Sequence, residues 1–207
     1  MVRRTKQDAL ATRDLILDTA EVVFQRRGVS RTSLNEIARA AGLTRGAIYW
    51  HFKDKADLFN AMMQRVTLPM EEAVTRSDGL EPADPVEHVR QAFVDALRKT
   101  VNDPQVRRVF EIATHKVEYV DELEAVRDRH LAVRNNCMAH VASRLTLAMR
   151  RGAPGRRVPA RAAALGLHAL IDGLIQNWML DPEAFDLVRV GMQAIDTYLA
   201  GLALARR

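Results

Sequence analysis

The 207-residue chain carries a net charge of +5 and a single cysteine. That length admits one or two domains with a real core. Cys137, being alone, excludes an internal disulfide framework and any cysteine-built zinc or iron–sulfur site. No run of eighteen apolar residues occurs, so neither a membrane span nor a membrane partner is expected.

Arg3, Arg4 and Lys6 are not followed by an apolar stretch, so the start does not read as a secretory signal, and a cytoplasmic protein is expected. The charge is unevenly placed. Residues 1–60 hold eleven Lys/Arg against seven Asp/Glu, a balance of +4, and the other 147 hold twenty against nineteen, a balance of +1. A basic segment of this kind fits phosphate-backbone binding or a merely soluble surface. Residues 1–12 read as a mobile arm. A first helix is expected from about Thr12 to Arg27, its inner face made by Ile16, Ala20, Val23 and Phe24, with Gly28 ending it.

Thr32 to Lys55 is the most informative stretch. Ser33 and Glu36 form a capping box for a second helix whose apolar face is Leu34, Ile37, Ala38 and Ala41. Gly42 supplies a left-handed stop. Thr44 caps a very short third helix, with Ala47 and Ile48 inward and Arg45, Gly46, Tyr49 and Trp50 on the other side. Helix, tight turn and second helix make a helix-turn-helix. Arg45 is placed for base edges, where a guanidinium pairs with guanine. Thr32, Ser33, Thr44, His51 and Lys55 are placed for phosphates. Tyr49 reads as a DNA contact, since Ile48 and Phe52 already fill the inner face. Trp50 has two readings, DNA contact or packing back on the first helix.

A fourth helix starts near Asp54, with Leu58, Ala61, Met62 and Val66 inward, and runs past Pro69 towards Arg76. Ser77 to Ala83 is a loop by composition. Asp84-Pro85 and Asp103-Pro104 each open a helix. A break is expected near Glu118 to Asp121, then a long helix from about Glu122 to Arg150, and a loop over Gly152 to Pro159. Pro159 opens a helix to about Met179, Asp181-Pro182 caps a turn, and a last helix covers about Leu187 to Ala203. No alternating strand pattern occurs. The expected fold class is all-α with about nine helices.

On the helix after Pro159, Leu167, Leu170, Ile171, Leu174 and Trp178 form an apolar stripe, while His168, Asp172 and Gln176 form a polar one. Asp172 lies in an otherwise apolar run. A buried carboxylate needs a partner or a ligand, so Asp172 is either a ligand anchor or a hydrogen-bonded core residue. Leu187, Gly191, Ala194, Ile195, Tyr198 and Leu202 align on the last helix, and Gly166, Ala169 and Gly173 on the one before allow close helix approach, within the subunit or across a two-fold axis.

Residues 12–60 resemble the DNA-binding domain of the TetR family of transcriptional regulators. Thr44-Arg45-Gly46-Ala47-Ile48-Tyr49-Trp50-His51-Phe52, followed by Lys53-Asp54-Lys55, is similar to that family's recognition helix and the start of its fourth helix. With Arg3-Arg4-Thr5-Lys6, it looks most like the repressors of multidrug efflux pumps. The resemblance implies a helix-turn-helix domain over 10–70 and an effector-binding and dimerisation domain over 71–207. It implies a homodimer formed through the last two helices, operator DNA as one partner and a small hydrophobic effector as the other. It places Asp172 in a drug pocket, with Phe110, Thr114 and Cys137 nearby and His168 and Gln176 on the same helix. Ligand would move the part of the fourth helix between Met62 and Arg76 and weaken DNA binding, reciprocally.

Other classes fare worse. None of the six histidines or the acidic residues shows metal spacing, a nucleophile elbow or a phosphate loop, so no enzyme, metal or cofactor is expected. The alternative is a DNA-binding protein on the same fold that controls a metabolic operon or has an architectural role, without a drug ligand.

Overall fold

A computed structural model of the chain describes residues 6–75, 84–118, 120–151 and 158–202. Among these residues there are nine α-helices, one 3-10 turn and no strand. The helices are α1 (Lys6–Arg27), α2 (Leu34–Ala40), α3 (Arg45–His51), α4 (Lys55–Thr75), α5 (Pro85–Asn102), α6 (Pro104–His115), α7 (Glu124–Arg151), α8 (Ala160–Leu180) and α9 (Leu187–Gly201). The 3-10 turn, Asp121–Leu123, fills the break expected before the long helix. The loop expected over Ser77 to Ala83, the end of the fourth helix at Arg76, and residues 152–157 of the second loop lie outside the described residues.

Local chemistry sets most boundaries. Asp84 Oδ1 accepts from the amides of Val86 and Glu87, ahead of Pro85. Asp103 Oδ1 accepts from Gln105 and Val106, ahead of Pro104. Each proline occupies a position whose amide would have no partner anyway. The start of α1 differs from expectation. The helix starts at Lys6, ahead of Thr12, whose hydroxyl donates to the Asp8 carbonyl at 2.8 Å, one turn back. Such back-bonding satisfies a threonine inside a helix, so residues 6–11 are helical and not a free arm.

Contacts divide the chain into two compact units that do not follow chain order. One holds residues up to Thr67 together with Arg108–His130; the other holds Leu68–Arg107 and Leu131–Arg207. The first unit therefore contains α1 to α3, most of α4 and α6, and the start of α7. Ile16, Leu17, Ala20 and Phe24 of α1, Ile37 of α2, Ile48 of α3 and Phe59 and Met62 of α4 are buried in it, as are Val109, Ile112 and Leu123. Phe24 and Phe59 meet with ring centroids 6.2 Å apart. Gly28 turns the chain at φ +83°, and the next amide, Val29, donates to the Lys116 carbonyl at 2.9 Å. That bond ties the α1–α2 turn to the end of α6.

One acid is buried in this unit. Glu21 of α1 is 1% exposed and paired by Arg65 of α4 and, at 3.5 Å, by Arg108 of α6. Arg65 also reaches Asp18 at 2.7 Å. Burying a carboxylate requires this kind of compensation, so three helices share one ion-pair cluster.

The second unit is built on α5, α7, α8 and α9. Leu97, Leu145, Ala163, Leu167, Ile171, Trp178, Leu187 and Ile195 are in its core. Arg107 stacks over the Trp178 ring, 4.8 Å from its centroid. Two glycines permit the packing. A Cβ on Gly191 would overlap Leu97 Cδ1, and one on Gly166 would overlap the Tyr198 hydroxyl. That hydroxyl donates to the Ala163 carbonyl at 3.0 Å. Gly166 thus serves close approach of α8 to α9 within the subunit. Gly173, by contrast, has open space where its Cβ would be. Arg90 holds Asp196 through two hydrogen bonds of 2.6 and 3.1 Å, which pushes the carboxyl below its ordinary pKa.

Candidate functional site

Helix α3 is fixed from both ends. Thr44 Oγ1 accepts from the Ala47 amide at 3.2 Å, and the Phe52 amide closes the last turn on Ile48. Gly42, at φ +68°, makes the turn from α2. Ile48 and Phe52 are buried, and this anchors one side of the helix. The opposite side is exposed: Thr44, Arg45 and Gly46 are open, Tyr49 is 44% exposed and Trp50 72%. The Arg45 guanidinium lies over the Tyr49 ring, 5.4 Å from its centroid. Trp50 meets His51 edge-on at 4.5 Å. Packing of Trp50 on the first helix is therefore not what occurs. The indole projects outward because Ile48, two residues back, already occupies the inner side.

At the start of α2 the capping box is complete. The Glu36 amide donates to Ser33 Oγ, and the Ser33 amide donates to Glu36 Oε2 at 2.8 Å. The bond from the Ser33 amide holds the Glu36 carboxyl below its ordinary pKa, and Arg27 at 2.5 Å adds to this. Ser33 is exposed, as a phosphate contact requires.

Two expected phosphate contacts sit differently. Thr32 is 2% exposed, and its hydroxyl donates to the Gly28 carbonyl at 2.8 Å. That bond closes the α1–α2 turn. Lys55 is 6% exposed; its ammonium donates to the Ser30 carbonyl and pairs with Glu122, each at 3.1 Å. The expectation that this ammonium reaches for phosphate is corrected: it is buried and already neutralised. A lysine at a helix N-terminus opposes the helix dipole, and here Ser30 and Glu122 supply the compensation. No sequence signal announced Glu122, because it lies 67 positions away, in the 3-10 turn.

The six residues expected around a ligand are not gathered in one unit. Phe110 and Thr114, half-buried one turn apart on α6, belong to the first. Cys137, His168, Asp172 and Gln176 belong to the second. Cys137 packs half-buried against the core there. His168 and Gln176 are half-buried, and the three polar residues of α8 follow one another along one face. Asp172 is exposed, and its carboxylate accepts from the Gln176 amide at 2.6 Å. The expectation of a buried carboxylate is therefore corrected. The inner face of α8 is Ala164, Leu167, Ile171 and Trp178, and Asp172 lies one residue, about 100°, away from it.

Between α8 and α9 the surface carries an open groove of about 430 Å³ lined by Leu170, Val190, Gln193, Ala194, Thr197 and Tyr198. Among the described residues no helix is long and apolar enough to cross a membrane.

Residues 16–62 match the bacterial regulatory proteins of the tetR family, and residues 84–204 match the C-terminal region of MAATS-type transcriptional repressors. The transcriptional regulator TtgR of Pseudomonas putida is 37% identical over 205 residues, covering 99% of this chain and 98% of its own. Among solved structures, NalD, the secondary repressor of the MexAB-OprM multidrug efflux pump of Pseudomonas aeruginosa, superposes with a TM-score of 0.86 at 35% identity, covering 95% of this chain and 98% of NalD. SmeT, the repressor of the Stenotrophomonas maltophilia efflux pump SmeDEF, is similar in its complex with triclosan, with a TM-score of 0.81 at 33% identity over 92% of this chain and 91% of SmeT. These relatives are regulators and not enzymes. With a helix-turn-helix at one end and a repressor-type helical region at the other, the chain belongs to the TetR family of bacterial transcriptional repressors.

Proposed function

We propose that the chain is a homodimeric, cytoplasmic repressor of a multidrug efflux operon that leaves its palindromic operator when a small hydrophobic compound binds. The observation that carries the DNA half is the outer face of α3. Two large aromatics and a guanidinium are held in the open on a helix whose other side is locked in the core. Exposed aromatics grouped in this way mark an interaction surface. In this reading residues 10–70 bind DNA, and 71–207 bind effector and dimerise. Arg45 reads base edges, and Gly46 lets the backbone approach. Tyr49 and Trp50 pack on the DNA, while Ser33, Thr44 and His51 position it on the phosphates. Thr32 and Lys55 act by holding the turn before α2 in place.

TetR-type repressors act as dimers and bind small effectors. For this chain, the groove on α8 and α9 is the surface we assign to the partner subunit, with Gly173 open for close approach. Two copies are required because one short helix reads too few bases. NalD and SmeT are named for multidrug efflux pumps, and the SmeT complex holds triclosan, an apolar compound. These likenesses support an apolar effector here, with His168, Asp172 and Gln176 of α8 and Cys137 of α7 as its polar contacts. Effector would shift α4 from Met62 onward and change the spacing of the two α3 helices.

The test is an anisotropy titration on the DNA upstream of the chain's own gene, at fixed salt, with and without triclosan and a panel of cationic hydrophobic drugs. Tight binding that a compound releases is the expected result. Binding indifferent to every compound would leave a DNA-binding protein with no drug effector.

A further inference from the structure

The first unit contains a second polar feature that the operator-reading face does not use. A cleft of about 260 Å³ lies between the α1–α2 turn and the end of α6. Its wall includes Arg26, Arg31 and Lys116, with Glu118 as the one acid. Arg27, also on the wall, is held by Glu36. Among the described residues Arg26, Arg31 and Lys116 make no ion pair, so three positive charges converge on one concave site. Ser30 and His115 belong to the same wall. Ser30 Oγ and His115 Nε2 are buried and have no hydrogen-bond partner. Buried polar atoms are nearly always satisfied, and an orphaned pair asks for an explanation.

The frame around the cleft is fixed. Val29 donates to the Lys116 carbonyl at 2.9 Å, and Lys55 donates to the Ser30 carbonyl at 3.1 Å. The first bond ties the two walls together and the second ties the α1–α2 turn to α4, and neither uses the side chain of Arg26, Arg31 or Lys116. Guanidinium and ammonium groups on a pre-set concave frame are the donor set that phosphate oxygens accept from.

We propose that this cleft binds a phosphate group, through Arg31 and Lys116 with Arg26 beside them. Two sources offer that chemistry. One is the DNA backbone outside the core half-site, because the wall runs through Ser30 and Arg31 directly into Thr32 and Ser33 at the start of α2. The other is a free phosphorylated small molecule. The first source rests on the operator-binding reading above, and the second does not.

The double variant Arg31→Gln/Lys116→Gln removes two of the three charges and leaves the Val29–Lys116 and Lys55–Ser30 bonds in place, so the dimer stays folded, which circular dichroism checks. Operator affinity is measured against salt on a core operator and on one extended by flanking duplex. Separately, melting is followed with added inorganic pyrophosphate. If flanking DNA is the source, the wild type has a steeper salt dependence on the longer duplex, and the variant loses about two units of slope there, one phosphate per cleft per subunit. If a free anion is the source, both proteins show the same slopes, but pyrophosphate raises the melting temperature of the wild type alone. Wild-type slopes together with an unchanged pyrophosphate response in the variant would overturn the proposal. Should the wild type bind no upstream DNA, the operator reading fails, and the pyrophosphate arm still decides the cleft.

Discussion

Glu21 on α1 and Asp172 on α8 are both carboxylates set in apolar stretches, and the fold treats them oppositely. Glu21 is 1% exposed and shared between Arg65 and Arg108. Asp172 is exposed and has a glutamine amide one turn away. The difference is one of angle. Glu21 falls between Leu17 and Phe24, at four and three residues from each, so it lies on the buried stripe of α1. Asp172 follows Ile171 directly and is turned away from the buried stripe of α8. An acid inside an apolar run is thus a weak sign of burial, while an acid in phase with the buried residues is a strong one. The consequence for the two units is that the first carries an internal electrostatic clamp, and the second leaves its carboxylate available on the surface.

The contrast breaks most sharply at Arg65. Arg65→Ala strips the nearer guanidinium from a carboxylate that water does not reach, while Arg108 stays at 3.5 Å. Removing one member of a buried pair costs about 3–5 kcal/mol. Chemical denaturation of the variant is expected to show a loss of that size. A loss under about 1 kcal/mol, the range of surface pairs, would mean that Glu21 is not dependent on the clamp.

Helix α3 gives the next largest effect, and it is on binding and not on stability. Tyr49→Ala/Trp50→Ala removes two exposed rings. Surface changes of this type usually move stability within about 0.5 kcal/mol. If each ring costs about 1 kcal/mol or more when truncated, as aromatic anchors of an interface do, operator affinity falls at least about thirtyfold while the melting curve stays put. Retained affinity would detach the outer face of α3 from DNA.

That helix was the most legible part of the chain. Its caps, its turn glycine and its inner residues Ile48 and Phe52 are all set within a few positions, so local rules place them. The same holds for Asp84 and Asp103 ahead of their prolines. What local rules do not reach is partnership across the chain. Lys55 reads as a free cation because Ser30 and Glu122 are distant in sequence. The Glu21 cluster was missed for the same reason, since Arg65 and Arg108 sit on two other helices. The docking of 108–130 into the first unit depends on bonds such as Val29 to Lys116 that no periodicity reveals. The ligand residues taken from the resemblance belong to two units, Phe110 and Thr114 to the first and Cys137, His168, Asp172 and Gln176 to the second, and no local rule links them.

Glycines on the second unit sharpen the contrast between its inside and its surface. Gly191→Ala drives a methyl into Leu97, and overpacking of this sort costs about 1–3 kcal/mol. Gly173→Ala meets nothing within 4 Å in the subunit, so helix propensity alone would stabilise it by about 0.5–1 kcal/mol. The two variants are expected to shift melting in opposite directions. If Gly173→Ala also weakens self-association in analytical ultracentrifugation, the open face of α8 is a subunit contact.

The smallest effect is at Asp172 itself. Its hydrogen bond with Gln176 spans one helical turn in the open, an interaction worth about 0.2–0.5 kcal/mol. Asp172→Asn keeps the shape and removes the charge, so stability is expected to stay within about 0.5 kcal/mol of the parent. Ligand binding separates two roles that stability cannot. If the carboxylate faces a cationic effector, its removal costs about 1.5–3 kcal/mol, the range of hydrogen bonds to charged groups, and affinity for cationic compounds falls about tenfold or more. Neutral compounds such as triclosan lose almost nothing. Equal loss for both classes would mean that Asp172 shapes the helix surface and does not select charge. No loss for either would make it a solvated residue on the outer face of α8, and the effector contacts would then have to come from elsewhere in the second unit.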